Sequence, residues 1–489
     1  MDIIQSTLCW LSASLILYYL WDFVITKRLA CRNAKHPLIG GYWWTSRVVL
    51  NFFFAAKATQ LLQEGYEKFK TGTFQLIRGA GSMVILPHST LEELSLLPNS
   101  IASGNLALEH DLLGPYTGLD MILEHRIHHS IVQRKLTPRL PLLAPALHAE
   151  LNSAFEERIP PAEDWTDIQP FLDFGFGVAR IASRAIVGPA FCRNPAWINI
   201  AVNYTQDLFE TIVIMPKGLL GPKFAVLIRR NDEGTWSPGE TEEEFNVLSW
   251  MVEAAKGSDR NPEALAHAEV LLALASVHTI LVRVVNVMYD LMSHPEYIEE
   301  LREEIDHIQK ATSWDNPAQA YSQLHKLDSV IRESQRLSPP TILGMKRMFN
   351  QDYTFSTGLT IEKGTYAAIP VMAIENDPEN TLNPSEYDGY RSYRKAQAAK
   401  EAGQKWSDYQ FTSIDETTLN FGYGKTACPG RFFASLTVKM MMVKLLTDYD
   451  WRFKAGVDRP KNHLVHEFLF PWPWDKVQIR RREKPACPF

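Results

Sequence analysis

The chain has few cysteines for its length, and their placement argues against a disulfide-based fold. Its 489 residues include five cysteines, Cys9, Cys31, Cys192, Cys428 and Cys487, which are odd in number and far apart. Disulfide frameworks use even numbers of cysteines in an oxidising compartment. We therefore expect free thiols in a reducing compartment, where a functional cysteine would act as a thiolate.

The sequence also lacks the signatures of several functional classes. The net charge is only −6, and no block of lysine or arginine indicates nucleic acid binding. No fingerprint of a nicotinamide or flavin site is visible, and there is no internal repeat. A hydrophobic content of 46% is ample for a large core and argues against a disordered chain.

An apolar run near the N-terminus predicts a membrane anchor. The stretch LCWLSASLILYYLWDFVITKR, Leu8–Arg28, approaches the ~20 residues that cross a bilayer, and its basic end favours the cytoplasm. A cleaved signal peptide is the alternative, although the first residues carry Asp2 and no lysine or arginine. We predict an anchor over residues 1–28 and a globular domain over residues 29–489.

The globular part is predicted to be mainly α with minor β. Thr73–Pro87 and Tyr353–Pro370 each have β-rich runs around glycine and predict hairpins, the second turning at Gly358. Ser89 and Glu92 have the spacing of a capping box and predict a helix start. Long helical patterns occupy most of the remaining chain, so we expect one large domain.

One predicted helix is apolar on nearly every face. Asn261 is a suitable N-cap and Pro262 suits the first turn, and the apolar pattern continues to His294. Such a helix runs through the centre of a large protein. Two polar neighbours, His278 and Thr279, interrupt it.

The segment FGYGKTACPGRFFA is built around a single cysteine. Gly424 and Gly430 bracket Cys428 and permit close approach of the backbone to a ligand. A helix predicted to begin near Arg431 would direct its free N–H groups at the sulfur and lower the pKa of the thiol. Phe421 would pack beside the sulfur.

Three uses of this cysteine are open from its chemistry. A lone cysteine is often ordinary core packing, and a zinc site would need further ligands close by, which the sequence does not supply. A thiolate ligand of haem iron needs only one protein sulfur and a flat approach that glycine permits.

The segment resembles the haem-binding signature of the cytochromes P-450, Phe-x-x-Gly-x-Arg/His-x-Cys-x-Gly. Phe421, Gly424, Cys428 and Gly430 match it. Thr426 departs from it, because the family usually has arginine or histidine there to face a haem propionate. The resemblance implies a cytochrome P-450 fold with Cys428 as the axial ligand of the haem iron, and Thr426 as a hydrogen-bond donor without charge.

Other stretches carry the same resemblance in the same order. Glu333 and Arg336 match a Glu-x-x-Arg pair that, in this family, meets an arginine from a later loop; the irregular stretch YDGYRSY supplies Arg391. The resemblance implies that these three brace the core on the haem side.

The stretch ASVHTI resembles the oxygen-activating stretch of the family's central helix. Thr279 matches the threonine that guides protons to oxygen, and His278 replaces the usual acid. A histidine titrates near neutral pH and would relay protons; the alternative is a core histidine bonded to a neighbouring backbone. Many fungal members have His-Thr here.

Two arginines are candidates for the haem propionates. The stretch HHSIVQRKLTP resembles a helix whose tryptophan and arginine contact haem, but His129 and Gln133 take those positions and Arg134 is displaced by one residue. Arg134 would serve a propionate or face solvent. Arg347 lies before a predicted strand and is the better candidate.

The resemblance covers nearly the whole chain and is closest to microsomal, fungal secondary-metabolism members. It implies a haem monooxygenase in the endoplasmic reticulum membrane that takes O2 and NADPH-derived electrons from a reductase, with cytochrome b5 as a second candidate donor. Lys425 and Arg431 flank the cysteine where such a partner would dock, or are ordinary surface charges. Alternatives are a haem isomerase that needs no reductase and a non-catalytic haem-binding protein.

The resemblance also implies where substrate binds. The matching segments are Ala107–Met121, Ala275–Thr279, Thr341–Met345 and Phe468–Phe470, which are apolar on balance. They predict a lipophilic substrate such as a terpenoid or a polyketide. Hydroxylation is the expected reaction; desaturation, epoxidation and oxidative ring expansion remain alternatives.

Overall fold

The computed structural model describes residues 10–21, 24, 35–41, 45–78, 81–111, 127–210, 245–312, 314 and 316–489. Within these ranges the protein is mainly helical with small sheets. The helices are α1 Trp10–Trp21, α2 Arg47–Lys68, α3 Leu91–Leu96, α4 Gly104–Asp111, α5 Ile127–Ile131, α6 Thr137–Arg158, α7 Pro170–Ile186, α8 Pro195–Glu210, α9 Val247–Ala254, α10 Pro262–Ser293, α11 Glu296–Thr312, α12 Pro317–Gln323, α13 His325–Leu337, α14 Val371–Glu375, α15 Arg391–Glu401 and α16 Arg431–Asp448.

Among the described residues, the strands form one five-stranded sheet and three smaller ones. They are β1 Phe74–Arg78, β2 Gly81–Ile85, β3 Ala102–Ser103, β4 Thr166–Ile168, β5 Gly344–Phe349, β6 Tyr353–Thr354, β7 Thr360–Ile361, β8 Tyr366–Ile369, β9 Tyr449–Arg452, β10 His463–Val465, β11 Phe468–Phe470 and β12 Val477–Arg481. The large sheet has the order β1-β2-β8-β5-β3, and only the β2–β8 pair is parallel. A three-stranded sheet has the order β4-β12-β9.

Helix α10 lies in the centre of the helical part, as its all-round apolar pattern predicts. The side chain of Asn261 accepts a hydrogen bond from the N–H of Glu263, Pro262 occupies the first turn, and the helix ends at Ser293. It packs against α7, α8, α13 and α16. Its length and composition would also let it cross a membrane, but 67% of its most apolar window is buried inside the protein.

The first predicted hairpin is confirmed and the second is shorter than predicted. Strands β1 and β2 pair in antiparallel register from Phe74 to Ile85. Strands β6 and β7 form a hairpin that turns at Gly358, whose φ of 84° suits glycine. Strand β8, which the sequence placed in the second hairpin, instead pairs with β2 and β5 in the large sheet. All four of its residues are buried there.

The predicted capping box at Ser89 and Glu92 is wrong. Helix α3 begins at Leu91, after a short 3-10 turn, and its N-cap Thr90 makes no side-chain capping bond. The hydroxyl of Thr90 instead donates to the carbonyl of Pro87. The 3-10 turn moves the start of the helix past the serine, so the spacing alone was misleading.

The N-terminal apolar run forms helix α1, whose side chains are exposed throughout. The exposed side chains include Trp10 at 73% and Trp21 at 66%. The remaining residues of the predicted anchor, apart from Val24, lie outside the described part of the chain. Helix α2 starts after Ser46, whose side chain caps it by accepting from the N–H of Val49.

Candidate active site

The cysteine loop, residues 419–430, contains a 3-10 turn at Gly424–Thr426 and ends at the N-terminus of α16. The N–H of Cys428 donates to the carbonyl of Phe421 at 2.7 Å, which closes the loop. The backbone N–H groups of Gly430 and Arg431 face the sulfur and act to lower the pKa of the thiol. The helix start therefore faces the thiol, as the sequence predicted.

The predicted lowering of the Cys428 pKa is wrong in its net direction. Burial of the thiol is the largest influence and raises its pKa, while the N–H groups and the charge of Arg431 only partly oppose it. Part of the residue is nevertheless accessible, and of the three cysteines that the structure describes it is the one classed as exposed. A metal ion bound to such a thiol removes its proton outright.

Glycines shape the loop at two positions. Gly424 has φ +60°, and a Cβ there would approach the hydroxyl of Ser95 to 3.1 Å. Gly422, which the sequence analysis did not single out, has φ +77°, and its Cβ would meet the Thr426 carbonyl at 3.2 Å. Both positions disfavour any other residue. A Cβ at Gly430 would lie 3.9 Å from the Cys428 sulfur, an ordinary van der Waals distance, so neither space nor backbone conformation requires glycine there.

Arg347 and Thr426 are brought together. The guanidinium of Arg347 is buried in β5, where it donates to the Lys346 carbonyl at 2.8 Å and to the Thr426 hydroxyl at 3.2 Å. Thr426 in turn donates to the Tyr423 carbonyl at 3.1 Å. Thr426 occupies the position where the family usually has arginine or histidine. Arg347 of the neighbouring sheet therefore brings a positive charge to that position.

The other predicted cations have different surroundings. Arg431 donates to the carbonyl of Cys428 at 2.9 Å and lies over the ring of Phe432, so it is part of the loop. Lys425 is exposed. Arg134 is also exposed, on a π-helical turn at Val132–Leu136 that links α5 and α6.

On α10, the two polar neighbours face different partners. The hydroxyl of Thr279 donates to the Ala275 carbonyl at 2.8 Å, and both residues are exposed although the helix around them is buried. The ring of His278 instead bonds the carbonyl of Val202 in α8 at 2.8 Å, and burial lowers its pKa. This geometry favours the alternative of a core histidine, so we do not assign His278 to proton delivery.

Glu333, Arg336 and Arg391 form one buried cluster, here called the Glu333 cluster. Arg336 donates to both oxygens of Glu333, at 2.6 and 3.0 Å, and Arg391 reaches the same carboxylate at 3.2 Å. Arg336 also donates to the carbonyls of Pro384 and Glu386. The sequence suggested that Arg391 lies in an irregular loop. In the structure Arg391 is instead the first residue of α15.

Helix α13 also positions the segment that leads to the cysteine loop, which the sequence analysis missed. Arg332 donates to the carbonyl of Gln410 at 3.1 Å and to the hydroxyl of Thr418 at 2.7 Å. Asp328 accepts from the N–H of Phe411 and pairs with Lys439 of α16. No short motif marks these residues, because their partners are 78 to 111 residues away along the chain.

A second cluster, which is largely buried, joins three of the predicted substrate segments. It comprises Arg78, Asp111, Lys346 and Glu467, here called the Asp111 cluster. Lys346 bonds Asp111 at 2.6 Å and Glu467 at 2.7 Å, and Arg78 bonds the same two carboxylates. Asp111 lies within the first segment, whose residues 112–121 are outside the described part, while Lys346 and Glu467 adjoin the third and fourth.

The backbone joins the third and fourth segments directly. Thr341 forms a bridge with Phe468, and the N–H of Ile342 donates to the Glu467 carbonyl at 2.9 Å. The second segment is the exposed face of α10 at Ala275 and Thr279.

Comparison with known proteins decides the family. The family model described as cytochrome P450 matches residues 227–479, about half of the chain. The chain belongs to the cytochrome P-450 monooxygenases. Over 494 residues it is 34% identical to cytochrome P-450 monooxygenase olcJ of Penicillium canescens, covering 95% of this chain and 92% of that protein.

Further relatives agree. The chain is 30% identical to an ent-kaurene oxidase of Gibberella intermedia over 485 residues, which cover 95% of this chain and 91% of the relative. The structure of cyanobacterial CYP120A1 with bound retinoic acid superposes with a TM-score of 0.67, over 91% of this chain and 99% of that one, at 19% identity. That likeness supports the fold alone.

The cofactor of this cytochrome P-450 family is haem with a cysteine thiolate as axial ligand, and the residues present here fit it. Cys428 is free and exposed, and the N–H groups of Gly430 and Arg431 at the start of α16 face its sulfur. Among the described residues no cluster of histidine, cysteine and acidic side chains forms another metal site. The donor set therefore suits one thiolate bond to iron.

Proposed function

We propose that this cytochrome P-450 hydroxylates a lipophilic small molecule, using O2 and two electrons that a separate NADPH-dependent reductase delivers. The reaction consumes one O2, two electrons and two protons for each hydroxylated product and releases one water. The observation that carries the proposal is the single thiol of Cys428, an exposed residue in a loop closed by its N–H bond to the Phe421 carbonyl and facing the start of α16.

Each residue of the site has one task in this proposal. Cys428 holds the haem iron; when bound, the haem supplies the oxygen-activating redox chemistry. Arg347, through its cationic side chain, and Thr426, through its hydroxyl, would hold a propionate. The Glu333 cluster would brace the core on the haem side by fastening the segment at 382–386 to α13.

Thr279 would hold and transfer protons. Its hydroxyl donates to the Ala275 carbonyl on an exposed face of an otherwise buried helix, so it has a defined partner and an open side. With His278 bonded to α8, the hydroxyl of Thr279 is the remaining proton carrier among the predicted catalytic residues.

The substrate class rests on relatives and on the predicted substrate segments. A relative at 30% identity is named an ent-kaurene oxidase, and the third and fourth segments, Thr341–Met345 and Phe468–Phe470, are mostly apolar. We infer a terpenoid or polyketide intermediate of secondary metabolism. Product analysis after feeding such precursors to a host that expresses the protein tests this assignment; turnover of polar precursors alone would contradict it.

The absorption spectrum of the dithionite-reduced, carbon monoxide-bound protein tests the haem ligand. We expect a thiolate-type Soret band in the wild type and its loss in Cys428→Ser. Cys192→Ser is the matched control, because that thiol is buried away from the loop against the Pro189 carbonyl, and it should keep the band. A histidine-type band in the wild type would refute the proposal.

The role of Thr279 in proton delivery is tested by measuring coupling, the amount of product formed for each NADPH consumed. Thr279→Ala should release more hydrogen peroxide and less product for each NADPH consumed, while His278→Gln, which keeps a donor toward α8, should change coupling little. Unchanged coupling in Thr279→Ala would show that the hydroxyl does not serve the reaction.

We also propose that residues 1–28 anchor the protein in the endoplasmic reticulum membrane with the domain of residues 29–489 in the cytoplasm. Helix α1 supports this, since its apolar side chains are exposed and are not covered by described residues. Removal of residues 1–28 should move the protein from microsomes to the soluble fraction; sedimentation that does not change would contradict a sole N-terminal anchor.

A further inference from the structure

A buried carboxylate holds the start of the cysteine loop. Glu375, the last residue of α14, is 4% exposed. Its Oε1 accepts from the backbone N–H groups of Leu419 at 2.5 Å and Asn420 at 3.1 Å, and its Oε2 accepts from the side-chain amide of Asn420 at 2.5 Å. Three donors from the first two residues of the loop therefore converge on one carboxylate.

The position of Glu375 is itself fixed. Helix α14 is a single turn that begins after Pro370, and the hydroxyl of Thr381 donates to the Glu375 carbonyl at 2.8 Å. The carboxylate therefore reaches the loop from a defined backbone. Asn420 immediately precedes Phe421, whose carbonyl accepts the N–H of Cys428, so only a few covalent and hydrogen bonds separate the carboxylate from the sulfur-bearing residue.

The groups that face Glu375 come from three elements. They are Arg332 of α13, Arg283 of α10 and Asp415 in the segment before the loop. Burial is the largest influence and raises the pKa of Glu375 to about 7; the N–H groups of the loop and Arg332 oppose it, and Asp415 adds to it. The carboxyl group is therefore partly protonated near neutral pH.

We propose that Glu375 is a positioning residue for the axial sulfur: its carboxylate fixes Leu419 and Asn420, and with them the direction in which Cys428 presents its thiolate. The inference rests on the proposed role of Cys428 as the haem ligand. Protonation replaces bonds to a charged acceptor by weaker neutral ones and places an O–H against the Asn420 amide, which is also a donor. The protonated form thus holds the loop less firmly.

The test follows the haem-loaded, full-length protein. The thiolate-type band of the reduced, carbon monoxide-bound protein converts with time to the thiol-type band, and the rate is measured between about pH 6 and 8, around the pKa of Glu375. In the wild type the rate should rise as the pH falls through about 7. Glu375→Gln should convert about tenfold faster at pH ~8, with no step in the profile.

Glu379→Gln is the matched control, because that carboxylate lies in the same segment but is exposed and pairs with Lys70. It should follow the wild type. A Glu375→Gln protein with the wild-type rate, or with the same step near pH ~7, would overturn this inference while the proposed haem ligation stands. A wild-type protein without a thiolate-type band would overturn both.

If Glu375→Gln carries no haem, the rate of band conversion is measured in Asn420→Ala instead. This variant keeps the carboxylate and its backbone donors and removes a single donor. A conversion about threefold faster than wild type, with the pH step retained, supports the proposal, and a rate equal to that of the wild type overturns it.

Discussion

The Glu333 cluster and the Asp111 cluster both bury several charges, but they draw their members from different distances along the chain. Glu333 and Arg336 lie one helical turn apart, and the arginines use their remaining donors on backbone carbonyls of the segment at 382–386. The Asp111 cluster joins two cations to two carboxylates from β1, α4, β5 and the residue before β11. The first cluster fastens polypeptide backbone to a helix, and the second fastens four elements to one another.

The electrostatic consequences also differ. In the Asp111 cluster the carboxylates are buried, which alone would raise their pKa values, yet Lys346 and Arg78, and for Asp111 also His110, outweigh burial. The pKa of Asp111 is therefore held well below its ordinary value, and that of Glu467 is lowered. Charge balance makes the second cluster sensitive to acid, because protonation of either carboxylate leaves a buried cation in excess.

Breaking the Glu333 cluster should have the largest effect. In Glu333→Gln, both Arg336 and Arg391 lose their shared carboxylate in a buried site, where an unpaired charge costs about 3–5 kcal/mol. We expect a lower midpoint of thermal unfolding and little haem-loaded protein. Glu299→Gln, at an ion pair whose carboxylate is 73% exposed, is the control and should change stability by less than about 0.5 kcal/mol. Similar losses in both variants would contradict the importance of burial.

Breaking the Asp111 cluster should have an intermediate effect. Asp111→Asn removes one carboxylate, but Glu467 stays with both cations, so we expect a loss of about 2–3 kcal/mol at neutral pH. A carboxyl group with a lowered pKa stabilises the fold fully above its unfolded value of about 4 and loses that contribution as the pH falls toward its folded pKa.

The pH dependence sharpens this prediction. The wild type should lose stability from about pH 5 downward more steeply than Asp111→Asn, so the two proteins should converge in acid. Thermal unfolding between about pH 3 and 8 measures the difference. Parallel curves over that range would show that Asp111 does not carry the acid sensitivity.

The smallest effect should come from a substitution that changes the shape of the cation at position 391 but keeps its positive charge. Arg391→Lys keeps the positive charge beside Glu333 but loses the second donor set that reaches the carbonyls of Leu382 and Glu386. We expect a loss of about 1–2 kcal/mol with the haem retained. An effect as large as that of Glu333→Gln would mean that the backbone bonds, and not the shared carboxylate, hold the cluster together.

Local pattern was sufficient for much of the fold. The all-round apolar helix α10, its Asn261 cap and the hairpin of β1 and β2 follow from residue spacing, because each depends on neighbours in the chain. Gly424 likewise predicted a turn before Cys428, and its φ of +60° confirms that turn. The prediction of a capping box was wrong because a 3-10 turn precedes the helix and moves its start to Leu91. The second hairpin was predicted too long because β8 pairs within the large sheet.

By itself, the sequence determined which residue types stand beside Cys428 and Thr279 and in what order, since those are properties of short segments. Only the tertiary structure decided that His278 forms a hydrogen bond with α8 and that Arg347 donates to Thr426. It also decided that the Glu375 carboxylate accepts hydrogen bonds from the start of the cysteine loop. The physical reason is range: helix and turn propensities act over a few residues, whereas hydrogen bonds and burial depend on elements that folding brings together from distant parts of the chain.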